Sequence, residues 1–307
     1  MKRFIPLLSA IALALPFAAQ ATITFKFDPT GAGGGAIIAD SFDFKPGNAL
    51  AVGGNPLADG ETTKLLYQAN INTLEKDGST VYSNGSSGSF FTVVAGFKET
   101  AAISTGASSV TADFTLASAA ARSADNYFYI YKTAAQGNNL SGTGFATGDL
   151  IMSGYISAVT SSNFTLSTTK APVALDQFGS NDWAGTSTLI GSGATDLVVT
   201  IESVNAGYFP DLLSGSAIKL GFVNNSQVDP FKQVDPSKKF SSDGLSNADY
   251  AANIGAINGF STTGGSFDFI FQADGNMSVD VPEPGSLALV GLALGAAGLA
   301  ARRRQAK

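Results

Sequence analysis

The sequence predicts an all-β protein, an antiparallel β-sandwich-like domain with a targeting segment at each end. Several short segments alternate apolar and polar residues with a period of two, the pattern of half-buried strands. Between residues 22 and 281, 19 of the 23 acidic residues are Asp, which favours turns, and only 4 are Glu. Glycine fills 35 of the 307 positions, so turns are frequent. Many short strands joined by Gly, Ser, Asn and Asp are typical of a sandwich.

The first 21 residues have the pattern of an export signal. Lys2 and Arg3 precede an apolar run from Phe4 to Phe17. Ala19 and Ala21 then give the small-x-small spacing that signal peptidase recognises. We expect cleavage after Ala21, which leaves a mature chain that begins at residue 22. The alternative is an uncleaved membrane helix, which the short apolar core disfavours.

Five segments carry the strand alternation most clearly, and we expect them within one extracellular domain over residues 22–280. Their apolar positions are Ile23, Phe25 and Phe27; Tyr67, Ala69 and Ile71; Leu197, Val199 and Ile201; Ile218, Leu220 and Phe222; and Phe267, Phe269 and Phe271. Lys76-Asp77-Gly78-Ser79 has the composition of a hairpin turn. The best helical signal is Ser246, which can cap a short helix that ends near Ile254.

The composition excludes several kinds of chemistry. The chain has no His and no Cys, so it cannot form a Ser-His-Asp triad, a Cys-His pair, a disulfide, or an imidazole or thiolate metal site. Residues 22–281 carry 12 basic and 23 acidic side chains, and this acidic balance argues against a nucleic-acid partner. No nucleotide-binding, calcium-hand or nucleophile-elbow motif occurs. We therefore expect a protein without catalytic residues and without a required cofactor.

Aromatic residues give two candidate carbohydrate contacts. Alternation places Tyr127, Tyr129 and Tyr131 on one face of a strand, where tyrosine rings can stack on sugar rings. The same pattern fits a half-buried face of the sandwich. Trp183, the single tryptophan, lies in a loop-like segment, where it can serve as a ligand contact or fill the core.

Acidic residues in predicted loops are candidate calcium ligands, because Ca²⁺ prefers oxygen donors. The four residues of this kind are Asp176, Asp182, Asp243 and Asp274. The alternative is that they are solvated turn residues, which is the commoner role of Asp in loops. The sequence leaves both interpretations open.

The C-terminal segment, residues 281–307, has three parts in a fixed order. Pro282-Glu283-Pro284 leads into an apolar stretch that runs from Leu287 to Ala301. Arg302, Arg303 and Arg304 follow as a membrane stop. Counted from residue 285, the apolar helix would be about 25 Å long, slightly shorter than a bilayer core of about 30 Å, so it can span the bilayer only marginally. The positive-inside rule keeps the arginines in the cytoplasm and places the domain outside the membrane.

This three-part order, together with the N-terminal signal, resembles the PEP-CTERM sorting signal of exported Gram-negative bacterial proteins. The resemblance implies that Pro282, Glu283 and Pro284 are the recognition motif for an exosortase, a membrane-embedded cysteine peptidase or transpeptidase. The chain would then be in the inner membrane transiently, through its C-terminal helix, before it reaches the cell surface or the extracellular matrix. An uncut membrane anchor is the alternative.

Three short blocks of the body resemble PEP-CTERM proteins associated with bacterial flocculation. They are Phe25-Lys26-Phe27-Asp28-Pro29, Leu66-Tyr67-Gln68-Ala69 and the segment from Phe267 to Asn276. This resemblance implies a surface or matrix protein that acts with exopolysaccharide in floc or biofilm formation, and it brings no catalytic residues. The alternatives are a carboxylate-dependent enzyme that acts on polysaccharide and a calcium-dependent carbohydrate-binding protein.

Overall fold

The structure, a computed structural model, describes residues 24–52, 59–138, 143–170, 173–174, 187–188, 191–225, 239–240, 250–251 and 269–280. All regular elements in these ranges are strands: β1 Phe25–Phe27, β2 Ile37–Ala39, β3 Ser41–Phe44, β4 Gly47–Val52, β5 Thr62–Lys76, β6 Ser79–Ser83, β7 Phe90–Thr105, β8 Ser109–Leu116, β9 Tyr127–Thr133, β10 Asp149–Ser167, β11 Val173–Ala174, β12 Ser187–Thr188, β13 Gly191–Val204, β14 Ala217–Asn225, β15 Lys239–Phe240, β16 Tyr250–Ala251 and β17 Phe269–Asp280. Within the described ranges, no helix has the length and apolarity needed to cross a membrane.

Eight strand positions form a closed antiparallel barrel. β3 and β4 together fill one position, since both pair with β5 on one side and with β17 on the other. β8 and β9 together fill another, between β7 and β10. The order around the wall is β3/β4, β5, β7, β8/β9, β10, β13, β14 and β17, which pairs again with β3/β4. Successive strand positions are therefore neighbours in space, an up-and-down arrangement.

The all-β, antiparallel character predicted from the sequence is confirmed, but the sandwich is corrected to a closed barrel. A sandwich has two sheets with free edges, whereas here the last strand pairs with the first positions of the wall, as Ser278 does with Ser41. β10 is 19 residues long and shifts register at three points along β13, the first of them between Ser153 and Gly154. Such bulges increase local twist and bend the strand, and this curvature lets one sheet close.

The strand predictions are confirmed where the structure describes them. The five alternating segments correspond to β1, β5, β13, β14 and β17. The predicted hairpin turn joins β5 to β6 through Asp77 and Gly78, whose φ angles are 52° and 72°. Two successive positive φ angles define a type I′ turn, for which Asp-Gly is a preferred sequence. The predicted helix at Ser246 lies outside the described residues.

Inward-facing side chains from every wall position fill the barrel. The buried cluster includes Tyr67 from β5, Phe97 from β7, Phe128 from β9, Phe164 from β10 and Ile201 from β13. Alternate residues on the same strands face outward. The apolar residues of the alternating pattern therefore face the barrel interior, and the polar residues between them face outward. Closure also pairs the last strand position with the first, so these two positions are not left as free edges.

One end of the barrel is closed by the short β1–β2 sheet, and we call it the plugged end. Phe25 and Phe27 of β1 are buried, with exposed fractions of 1% and 0%. The loop between β13 and β14, residues 205–216, holds this sheet in place. The Asp211 carboxylate accepts hydrogen bonds from the backbone N–H of Lys26 at 2.8 and 3.0 Å. The backbone N–H of Asp28 donates to the Tyr208 carbonyl at 2.9 Å.

The glycine-rich segment after β1 wraps around the buried carboxylate of Asp28. One carboxylate oxygen accepts hydrogen bonds from the backbone N–H and the hydroxyl of Thr30, at 2.9 and 2.7 Å. The other accepts from the backbone N–H groups of Gly33 at 2.8 Å and Gly34 at 3.1 Å. The hydrogen bond from the Thr30 hydroxyl is the largest cause that lowers the pKa of Asp28 to about 2, and the backbone N–H groups of Thr30, Gly35 and Gly33 lower it further.

Replacement of Asp28 by Asn should destabilise the protein by about 2 kcal/mol at pH 7, because hydrogen bonds to a charged acceptor are lost and an NH₂ group meets backbone donors. Urea unfolding at pH 7 measures the loss, and Asp113→Asn, at an exposed carboxylate of β8, is the control. Since the pKa of Asp28 is lowered, its stabilisation is present above about pH 4 and disappears as the pH falls through about 2. A difference between wild type and variant that stays constant from pH 4 to pH 2 would contradict this account.

Candidate functional site

Three outward-facing carboxylates line a groove of about 310 Å³ on the barrel wall. They are Asp43 of β3, Asp196 of β13 and Asp274 of β17, and Asn276 of β17 adds an amide. We call this feature the carboxylate groove. It crosses four neighbouring strand positions, β13, β14, β17 and β3.

The strand register produces this arrangement. Asp196 lies opposite Gly221 of β14, Gly221 opposite Asn276, and Asn276 opposite Asp43. Directly opposed residues share one face of a sheet, so polar groups that are far apart in the chain form one row. Asp274 lies on the same face of β17, two residues before Asn276.

Gly221 opens the middle of the row. A Cβ atom at this position would lie 3.2 Å from Oδ1 of Asn276 and 3.4 Å from Oδ1 of Asp196. The side chains of the two flanking strands therefore converge over the glycine. A side chain here would occupy the space between them, so the glycine is what makes the wall concave at this point.

Hydrogen bonds orient two of the three carboxylates. Asn72 donates its amide N–H to Asp43 Oδ2 at 2.7 Å, and the Ser161 hydroxyl donates to Asp196 Oδ2 at 2.8 Å. The third carboxylate differs, because the pKa of Asp274 is raised by desolvation and, next, by the negative charge of Asp43. The groove is thus an acceptor-rich surface in which one acid holds its proton more tightly than usual.

These groups suit hydrogen bonding to a polyhydroxylated ligand. Carboxylate oxygens accept from hydroxyl groups, and the Asn276 amide can both accept and donate. Val223 lies opposite Asp274 with an exposed fraction of 66%, so the groove also offers an apolar contact. Within the residues that the structure describes, no three acidic side chains come together in a way that could hold a metal ion.

The tyrosine row is not exposed. Tyr127, Tyr129 and Tyr131 face outward from β9, but their exposed fractions are 0%, 1% and 7%. The rings pack on one another, and the centroids of Tyr127 and Tyr129 are 5.3 Å apart. This burial favours the packed-face interpretation over a carbohydrate contact.

Part of the covering layer over this face is the segment that follows β9. The amide of Asn70 donates to the carbonyl of Gly137 at 2.9 Å, and the hydroxyl of Thr92 donates to the carbonyl of Phe145 at 2.6 Å. Thr92 lies opposite Tyr131 in the register of β7 and β9. The outer face of the barrel is therefore covered here by the protein itself.

Most other predicted site residues lie outside the described residues. These are Ala19 and Ala21 of the signal cleavage site, Trp183, three candidate calcium ligands, the sorting motif and the membrane stop. Asp274 is the one candidate calcium ligand that the structure describes, and it lies on strand β17 instead of in a loop. Asp43 and Asp196 were not predicted from the sequence, because an outward Asp between inward apolar residues has the pattern of any solvated strand position.

The fold and the groove together define the class of this protein: a closed, all-antiparallel barrel with an acidic outer groove and an N-terminal plug. Residues 280–304 match the family model described as a PEP-CTERM protein-sorting motif. The chain therefore carries a PEP-CTERM sorting motif, and this motif indicates an exported protein that an exosortase processes. Comparison with curated proteins and with solved structures gave no match.

Proposed function

We propose that this protein is a non-catalytic, adhesive component of the extracellular matrix, retained with exopolysaccharide in flocs or biofilms. The observation that carries the proposal is the sorting motif at residues 280–304, which begins at the last residue of the barrel wall. A sorting tail joined to a closed barrel suits a protein that is exported as a stable scaffold.

The carboxylate groove is the surface that we assign to the polysaccharide. Its carboxylates and the Asn276 amide would bond sugar hydroxyls, while Val223 would contact an apolar sugar face. Each such contact is weak. Many copies displayed along one polymer convert weak contacts into firm retention, which is the requirement for cell aggregation.

Substitution of Asp43, Asp196 and Asp274 by Asn should lower the amount of exopolysaccharide that the purified protein retains by about 10-fold. Each Asn keeps an acceptor oxygen but loses the charge, so three hydrogen bonds are each weakened by about 0.5 kcal/mol. The measurement is co-sedimentation with the host's polysaccharide. The matched control replaces Asp113, Asp149 and Asp77, three exposed carboxylates away from the groove. Equal retention by both triple variants would exclude the groove as the contact.

The same variants expressed in a gene-deletion strain test the cellular role. We expect deletion to lower floc or biofilm cohesion and leave polysaccharide synthesis intact. The control variant should restore cohesion, and the groove variant should not. Unchanged cohesion in the deletion strain would refute the matrix role itself, independently of where the polymer binds.

One observation favours the alternative of a carboxylate-dependent enzyme. Asp274 has a raised pKa and shares the groove with Asp43, and the acid of a glycoside hydrolase likewise has a raised pKa beside a second carboxyl group. An enzyme would shorten the host's polysaccharide, and Asp274→Asn alone would abolish the activity. Viscometry of polysaccharide incubated with the purified protein distinguishes this outcome from simple retention.

A further inference from the structure

We propose that the plugged end of the barrel lies against the lipid bilayer while the sorting tail is still attached. Three features support this orientation: the direction of β17, the length of chain that follows it and the location of exposed apolar side chains. It rests on the sorting motif and not on the polysaccharide role, so the two proposals can fail separately.

The last wall strand leaves the barrel at the plugged end. Ser278 pairs with Ser41, which follows β2 of the plug after a single residue. Asp280 pairs with Ala217, the residue that follows the loop 205–216. The tail therefore begins beside the two segments that close this end.

The distance from the barrel to the apolar stretch is short. The matched motif begins at residue 280, the last residue of β17, and the apolar stretch begins at Leu287. The six intervening residues, 281–286, reach about 20 Å when fully extended. When the apolar stretch is in the membrane, the plugged end is therefore confined to the neighbourhood of the headgroups.

Exposed apolar side chains are concentrated at this end. Among the described residues, five large apolar side chains are exposed: Ile38 46%, Val81 38%, Leu150 46%, Leu213 71% and Val223 66%. Ile38 lies in the plug itself, and Leu213 lies in the loop that holds the plug. Val81 is on β6, which packs beside β2. Leu150 also lies at this end, because the carbonyl of the next residue, Ile151, accepts a hydrogen bond from the N–H of Asn205 at the start of the 205–216 loop.

The outer face of the plug has the composition of an interfacial surface. Ile38 is paired with Lys26 in the β1–β2 register, so both side chains share the face that points away from the barrel. Lys26 is exposed, and a lysine can extend its ammonium group to lipid phosphates while its methylene stem lies along apolar surface. A surface that combines Ile38, Lys26 and Leu213 is suited to the boundary between lipid headgroups and acyl chains.

The absence of cysteine allows a direct test with single labels. Ile38→Cys and Leu213→Cys report on the plugged end, and Ala107→Cys reports on the β7–β8 turn at the other end. Val223→Cys is the matched control for an exposed apolar side chain elsewhere on the wall. Each variant of the chain from residue 22 to residue 307 is labelled with a fluorophore and reconstituted into vesicles that contain nitroxide-labelled phospholipid.

We expect quenching at positions 38 and 213 to be at least about threefold stronger than at positions 107 and 223. Flotation with the vesicles first establishes that the tail is inserted. Weak and equal quenching at all four positions in floating protein would overturn the proposal, because the barrel would then be held away from the bilayer. Strong quenching at position 107 would overturn it by reversing the orientation, and failure to float would overturn it by removing the membrane anchor.

Discussion

Replacement of Glu99 by Gln should abolish most of the pH dependence of stability between pH 4.5 and pH 8. Glu99 faces the barrel interior from β7 and is 4% exposed, and burial raises its pKa from 4.5 to about 8. The folded state therefore keeps a proton that the unfolded state releases above pH 4.5. The free energy of unfolding of the wild type should fall by up to about 5 kcal/mol as the pH rises through this window.

The lysines beside Glu99 in the described part of the barrel do not compensate its charge, because their side chains point away from it. Lys98 and Lys64 lie opposite each other on β7 and β5, and both side chains point outward to Asp125. The Nζ–carboxylate distances are 2.8 Å for Lys98 and 3.5 Å for Lys64. The inward neighbours of Glu99 across the strands are Thr63 and Leu116, neither of which is charged.

Urea unfolding at several pH values measures the effect. The Glu99→Gln variant should have a nearly constant free energy of unfolding from pH 4.5 to pH 8.5, and should exceed the wild type at the upper end. Glu61→Gln, at an exposed residue just before β5, is the control and should follow the wild type. Parallel profiles for wild type and Glu99→Gln would show that Glu99 is ionised in the folded state.

Replacement of Phe27 by Ala should cost about 3 to 5 kcal/mol of stability, because it removes the ring at the centre of the plug. The Phe27 ring lies 5.0 Å from that of Phe91, 5.2 Å from that of Phe209 and 5.6 Å from that of Phe42. These partners come from β7, the 205–216 loop and β3, so one truncation leaves a cavity between three elements.

The control for Phe27→Ala is Lys26→Ala on the same strand. The Lys26 side chain is exposed, and its backbone N–H, which bonds Asp211, is unchanged by the substitution. Urea unfolding at pH 7 should therefore give a change of less than about 0.5 kcal/mol for this variant. A similar small change for Phe27→Ala would mean that the plug contributes little to the stability of the barrel.

The alternation in the sequence predicts the strands correctly, but it does not predict whether the sheet closes into a barrel. Alternation identifies one buried and one open face in β5, β13 and β14, and a barrel and a sandwich both have that alternation. The difference depends on the pairing of Ser41 with Ser278, between residues far apart in the chain. The Asp77-Gly78 turn was predictable because its signal is local.

The tyrosine row and the carboxylate groove show the same limit. Alternation placed Tyr127, Tyr129 and Tyr131 on one face, and this is confirmed, but it cannot tell whether another segment covers that face. Asp43 and Asp196 meet only because β3, β17, β14 and β13 are adjacent in the wall. The glycine at position 221, between Leu220 and Phe222, was the single local sign of an opening there.

The pairing of the first and last wall strands also sets the order in which the exported chain can fold. All other wall contacts join strand positions that are successive in the chain and can form as each strand emerges. The pairing of Ser41 with Ser278 closes the longest segment of chain, and it can form only after β17 has been exported. Because the sorting motif follows β17 directly, the barrel completes its wall only when the tail reaches the translocation machinery. Until then β3 and β4 have an unpaired edge, so this interval is when the exported chain is most exposed to aggregation and proteolysis.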